Sequence, residues 1–199
     1  MIPEQVKKFI ESFSKLPSVG PRFATRLAFY LLSLDESARK NLESSLVGLG
    51  MINRCERCFF LKKIDSKLCD ICTTKERDPK IIAIIEKETD LLSIEGTRKF
   101  KGHYLLLGEL PERGTLESVH RLRLKTLKDR ITSELGGKAT ELVIALNLNT
   151  FGDFVASIIK EEFKNLAEKI TRIGRGIPTG GEIEFADEET LSSALERRN

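Results

Sequence analysis

The chain has 199 residues, of which 32% are charged and 40% hydrophobic, and its formal net charge is +3. That is enough length for a packed core and an ordinary globular composition. The longest purely apolar run, Ile81–Ile85, falls far short of the ~20 residues that span a bilayer. With no apolar signal core behind Met1-Ile2-Pro3-Glu4, the expectation is a cytoplasmic protein with reduced thiols and no membrane partner.

The charge is unevenly spread. Residues 1–80 carry 15 Lys/Arg against 10 Asp/Glu and 98–130 carry 9 against 4, whereas 131–199 carry 8 against 12. Basic stretches of this kind suit an anionic partner and acidic ones a basic protein partner.

In chain order, Val6, Phe9, Ile10, Phe13 and Leu16 recur at three and four, one face of an amphipathic helix. Pro17 ends it, Gly20 permits a tight turn, and Pro21 suits the first position of a second helix carrying Phe23, Leu27, Tyr30, Leu31 and Leu34. The free N–H groups and dipole at that helix start form an anion site, with Arg22 and Arg26 one turn apart beside it. A helix, a short hairpin and a helix in this order resemble the helix-hairpin-helix motif, which binds DNA backbone rather than bases. The first of the two usual hairpin glycines is here Ser18. Asp35 is placed to cap a third helix through Leu42, Leu46 and Leu49.

Next come Cys55-Glu-Arg-Cys58 and Cys69-Asp-Ile-Cys72, with ten residues between the pairs; the chain has no other cysteine. Two such knuckles bring four thiolates to one tetrahedral Zn²⁺ and leave no position for a substrate, so the ion is structural, one per chain. Disulfides would need an oxidising compartment. A redox Cys-x-x-Cys would occur once, at a helix start. Metal binding would supply the folding energy of so small a module.

Asp78-Pro79 should break to a buried strand at Ile81–Ile85 ending at Glu86, followed by a helix around Asp90–Ile94, a strand at His103–Leu107, and a loop marked by Pro111 and Gly114. A long basic helix from Leu116 to Leu135 is expected to face inward with Val119, Leu122, Leu127 and Ile131. Arg121, Arg123, Lys125, Lys128 and Arg130 should then lie largely outward. A strand at Glu141–Leu146, a helix from Gly152 to Ala167 and a short strand at Lys169–Ile173 complete an alternation that predicts a parallel sheet with both faces covered. Ligands collect at the carboxyl ends of such strands. That places Glu86 after one strand and Asp153, with Phe151 two residues before it, after another. This is a poor acidic set for Mg²⁺ chemistry. Residues 174–187 combine a glycine-rich turn with a short alternating strand. Asp187 has the look of a Walker B acid, but no phosphate-cradling Gly-x-x-x-x-Gly-Lys loop occurs, so it reads as a helix cap.

The order of these parts, with Leu16-Pro17-Ser18-Val19-Gly20-Pro21-Arg22, the cysteine quartet and Gly176-Ile177-Pro178-Thr179-Gly180-Gly181-Glu182-Ile183-Glu184, resembles the RecR family of bacterial recombination mediators over nearly the full chain. The resemblance implies an α+β multidomain protein. Its parts are a helix-hairpin-helix domain at 1–53, a four-cysteine zinc module (zinc finger) at 54–78, an α/β Toprim-like domain with a mainly parallel sheet at 79–173, and a Walker-B-like tail at 174–199. It also implies a non-enzymatic DNA repair role: a tetrameric DNA clamp that works with RecO and RecF to load RecA on single-stranded DNA, whether bound to single or double strands. RecR proteins usually carry Asn-Pro-x-x-Glu-Gly-Glu where this chain has Asn147-Leu148-Asn149-Thr150-Phe151-Gly152-Asp153. Because that acidic cluster is implicated in contacting RecO, the resemblance makes Glu86, Phe151 and Asp153 a partner-binding surface. The rival reading is a metal-dependent Toprim nuclease or primase-like enzyme using Glu86 and Asp153. A weaker one is a zinc-stabilised DNA-binding regulator.

Overall fold

A computed structural model of the chain describes residues 2–111, 115–174, 176–177 and 179–196. The chain divides into two compact units, Met1–Ile52 and Asn53–Asn199.

The first unit is helical: α1 (Glu4–Phe13), α2 (Pro21–Ser33) and α3 (Glu36–Leu49). Asp35 caps α3 by accepting the Ala38 N–H at 2.8 Å. In α2 the buried residues are Ala24 and Ala28. Phe23 and Tyr30 are 56% and 60% exposed. Small side chains let helix backbones approach, so the seam runs along the alanines and turns the rings aside. On α1, Phe9 and Phe13 stack with centroids 3.9 Å apart.

A two-stranded ribbon follows, β1 (Ile52–Arg54), which begins on the last residue of the first unit, and β2 (Leu61–Lys63), and then the short α4 (Asp70–Thr73) of the second unit. It continues with β3 (Asp78–Ile85), α5 (Glu88–Gly96), β4 (Gly102–Leu106), α6 (Ser118–Glu134), β5 (Ala139–Ala145), α7 (Thr150–Phe163) and β6 (Ala167–Arg172). Four strands form one all-parallel sheet in the order β4-β3-β5-β6. Pro79 lies inside β3 rather than before it, where the pairing with β4 is irregular between Asp78 and Ile82, the place a strand tolerates a missing N–H. Ala167, expected at the end of α7, instead opens β6; the helix stops at Phe163.

Both faces of the sheet are covered. On one, Ile82, Ile84, Leu105, Leu142 and Ile144 meet Leu124, Leu127 and Ile131 of α6 and Val155, Ile159 and Phe163 of α7. On the other, Ala83, Ile85, Tyr104 and Leu106 meet Leu91 of α5 together with Phe59, Phe60 and Ile71 of the cysteine module. The inward stripe of α6 is His120, Leu124, Leu127, Arg130 and Ile131. Val119 and Leu122, expected inward, are 41% and 60% exposed, and Arg130, expected outward, is 5% exposed. Its guanidinium is held inside by Nη2 donating to His103 Nδ1 at 2.9 Å and to the Pro79 carbonyl at 3.3 Å.

In the tail, Ile183–Phe185 form a turn of 3₁₀-helix in place of the expected strand, the alternation being too short to add to the sheet. Asp187 accepts the Thr190 N–H at 2.8 Å and so caps α8 (Glu188–Glu196), as the sequence indicates. Gly114 of the expected loop and Pro178 of the tail motif lie outside the described residues.

Candidate metal centre and nucleic-acid interface

Each knuckle is shaped by its own backbone. The Cys55 N–H donates to the Phe60 carbonyl at 2.7 Å and the Phe59 N–H to the Cys55 carbonyl at 3.0 Å, a reversal completed by Phe59 in the left-handed region at φ 63°. Cys69 stands at the start of α4 and Cys72 within it. The backbone N–H of Cys69 reaches the Cys55 sulfur at 3.4 Å.

The four Sγ atoms lie within 4.8 Å of one another, all buried, and none is in a disulfide. Cys58 and Cys69 approach to 3.4 Å, far beyond a disulfide's ~2.05 Å. That separation is near the ~3.8 Å edge of a tetrahedron with metal–sulfur bonds of ~2.3 Å. The thiols also perturb one another. Hydrogen bonding from Cys58 first, then Cys69 and Cys72, pushes the Cys55 thiol down, while hydrogen bonding to Cys55 pushes Cys58 up. Four thiols this close ionise together only around a cation, so the donor set fits a structural metal. Among the described residues no other group of three or more His, Cys, Asp or Glu side chains is arranged to share an ion.

The module is fastened to the sheet. The Cys58 carbonyl accepts the Leu106 N–H of β4 at 2.9 Å, Arg123 of α6 lies 5.1 Å over the Phe59 ring, and Arg57 pairs with Glu134 at 2.9 Å. Arg54 pairs with Glu88.

In the hairpin between α1 and α2 the Val19 N–H returns to the Leu16 carbonyl at 3.1 Å. The left-handed residue is Ser18, at φ 63°. Gly20, expected to permit the turn, has an ordinary φ of −81°, and a Cβ built on it meets nothing within 4 Å. Pro21 occupies the first position of α2. No side chain caps that start and no acid lies in its first turn. Arg22 and Arg26 are both exposed beside it.

At the carboxyl ends of the strands the sequence-derived trio divides. Glu86 is 6% exposed. Its Oε2 accepts from Asn147 Nδ2 at 2.7 Å and its Oε1 from the Leu110 N–H at 3.3 Å, so it joins the segments that follow β3, β4 and β5. A carboxylate buried to this degree does not face a partner, so Glu86 lies beneath the expected partner-binding surface rather than on it. Phe151 is 40% exposed, and Asp153 pairs with Arg172 at the end of β6. Asn147 and Arg172, which anchor the two acids, are outside the sequence-derived set, although a polar residue near the carboxyl end of a parallel strand is a recognisable signal. Gly152 is required by close approach: its Cβ would stand 2.0 Å from the Asn147 carbonyl oxygen.

Together these features define an α+β protein in which a helix-hairpin-helix unit precedes a four-cysteine module built onto a Toprim-like parallel sheet. The family model described as RecR, helix-hairpin-helix, matches residues 6–49, and the one described as RecR, C-terminal, matches 176–199. The chain is 37% identical to the recombination protein RecR of Roseiflexus castenholzii over 100% of its own length and 95% of that protein's. It is 38% identical to the RecR of Gloeobacter violaceus over 100% and 98%. The chain belongs to the RecR family of recombination proteins.

Proposed function

We propose that the protein is a DNA-binding recombination mediator of DNA repair: an oligomeric clamp, a tetramer by family analogy, that binds DNA without reading sequence and works with RecO and RecF to load RecA on single-stranded DNA in the cytoplasm. The observation that carries this is the uncapped start of α2 with Arg22 and Arg26 exposed beside it, a positive helix end open to phosphate. Zn²⁺ is the ion assigned to Cys55, Cys58, Cys69 and Cys72, because an all-thiolate tetrahedron is the set it prefers. No described helix is long and apolar enough to cross a membrane.

The sheet is a docking surface rather than a catalytic centre in this reading. Parallel sheets bind ligands where successive connections leave toward opposite sides, here between the ends of β3 and β5, and Asn147 and Leu110 already take up the Glu86 carboxylate there. Phe151 and Asp153 make the contact with RecO, and Glu86 supports them from beneath through Asn147.

The deciding experiment compares DNA binding by the parent and by Arg22→Ala/Arg26→Ala across a salt series. The double variant should bind all sequences more weakly and show a flatter log K against log salt, by up to about 0.9 for each duplex phosphate it no longer neutralises. An unchanged affinity and slope removes the hairpin from the interface. Light scattering with and without DNA tests the clamp, which a monomer contradicts.

A further inference from the structure

Arg130 is 5% exposed. Its Nη2 is occupied by His103 and Pro79, yet its Nε and Nη1 are buried without a hydrogen-bond acceptor. None of the ion pairs among the described residues includes it. A guanidinium taken out of water without a carboxylate is costly unless another negative charge offsets it.

The cysteine centre supplies that charge. Four thiolates around a divalent cation form a dianion, and it too is buried. Several observations place α6 against the module at this turn. Arg57, between Cys55 and Cys58, directs Nη1 to the Cys72 carbonyl at 3.5 Å and pairs through Nη2 with Glu134, one turn beyond Arg130. Arg57, Arg130 and Leu68 line one cavity of about 430 Å³, and Leu68 packs directly on the four cysteines.

We propose that Arg130, with Arg57 beside it, is the counter-cation of the metal–tetrathiolate centre, so that metal occupancy and the seating of α6 on β4 depend on each other. The inference rests on the reading that the knuckles hold a divalent ion, and it makes Arg130 a positioning residue rather than a ligand. Burial first, then Arg57, disfavour the charged form of Arg130, whereas Cys72, then Glu134 and Cys58, favour it.

The test uses the full chain as Arg130→Met, Arg130→Lys and Arg57→Gln beside the parent. Zn²⁺ affinity is measured by competition with a chromogenic chelator, and thermal midpoints are measured with metal and after chelation. Arg130→Met should weaken Zn²⁺ binding ~10–100-fold, the range for residues that support metal ligands from outside. Arg130→Lys should recover most of that loss, and Arg57→Gln should weaken binding to a lesser degree. Arg130→Met should also lower the midpoint more in the loaded protein than in the stripped one. Zn²⁺ affinity unchanged in Arg130→Met, or equal midpoint losses with and without metal, overturns the proposal. Should Arg130→Met fail to fold, Arg130→Lys decides, and a tenfold loss of affinity with the charge retained overturns it. A parent that takes up no Zn²⁺ overturns the metal-centre reading itself, an outcome distinct from a parent that binds one ion regardless of residue 130.

Discussion

The guanidinium of Arg130 donates to His103 Nδ1 at 2.9 Å, so a buried cation faces a buried imidazole that must remain neutral to accept. His103 is 3% exposed. Burial, then Arg130, Arg57 and Arg77, lower its pKa to about 4, with Asp78 opposing.

The sign of the resulting pH dependence follows. The unfolded imidazole takes a proton near pH ~6.5 that the folded one refuses until about 4. This contribution is therefore fully present above ~6.5 and is lost as pH falls through about 4. It is on the order of 3 kcal/mol at most, at about 1.4 kcal/mol per pH unit. Urea midpoints of the parent should fall between pH 6.5 and 4 with a slope that His103→Gln lacks; identical slopes would assign the effect elsewhere.

Ser18 and Gly20 exchange the roles their residue types suggest. Ser18→Gly should stabilise the first unit by about 1 kcal/mol, because it relieves a left-handed conformation. Gly20→Ala should leave the thermal midpoint nearly unchanged, having open space for its methyl group, yet should weaken DNA binding if phosphate approaches the backbone there. Calorimetry and a binding titration on the same two variants check both halves.

Purified without chelator, the protein should carry one Zn²⁺ per chain, and Cys58→Ser should lose it. Structural zinc contributes on the order of 10 kcal/mol in small modules, and Phe59, Phe60 and Ile71 cover one face of the sheet. Amide exchange in β4 should therefore accelerate in Cys58→Ser as well as exchange in the knuckles. Protection retained in β4 would show that the sheet stands without the module.

Glu86→Ala removes the acceptor for Asn147 and Leu110 and should destabilise the second unit by about 1–3 kcal/mol. If the strand ends are a docking surface, no Mg²⁺- or Mn²⁺-dependent cleavage or primer synthesis accompanies the parent. Turnover abolished by Glu86→Gln would restore the enzymatic alternative. RecO binding undiminished in Phe151→Ala/Asp153→Ala would remove the role assigned to that surface.

How much of the fold is legible in the sequence depends on the range of each signal. The cysteine spacing specifies its cluster because four ligands of one kind have a single arrangement around one ion. The alternation of strand and helix implies parallel pairing through connection geometry. Arg130 escapes such reasoning because helical periodicity ranks an arginine as outward, and the partner that admits it, His103, stands on another element. The alanine seam of α2 escapes it for a related reason: hydropathy weights Phe23 and Tyr30 above Ala24 and Ala28, whereas closeness of approach favours the small residues. Glu86 carries the same lesson, since only the fold brings Asn147 to it.

The Cys58 carbonyl that receives the Leu106 N–H has a bearing on solubility. A parallel sheet ends in two strands with unmatched backbone groups, each a template for stray chains. At the β4 end the cysteine module lies over the template. At the β6 end no further strand is paired among the described residues, and Glu168 and Lys169 stand exposed along it, charges of the kind that discourage unplanned strand addition. A chain stripped of its ion would uncover the β4 end, which has Leu105 and Leu106 rather than charges, and aggregation should begin there.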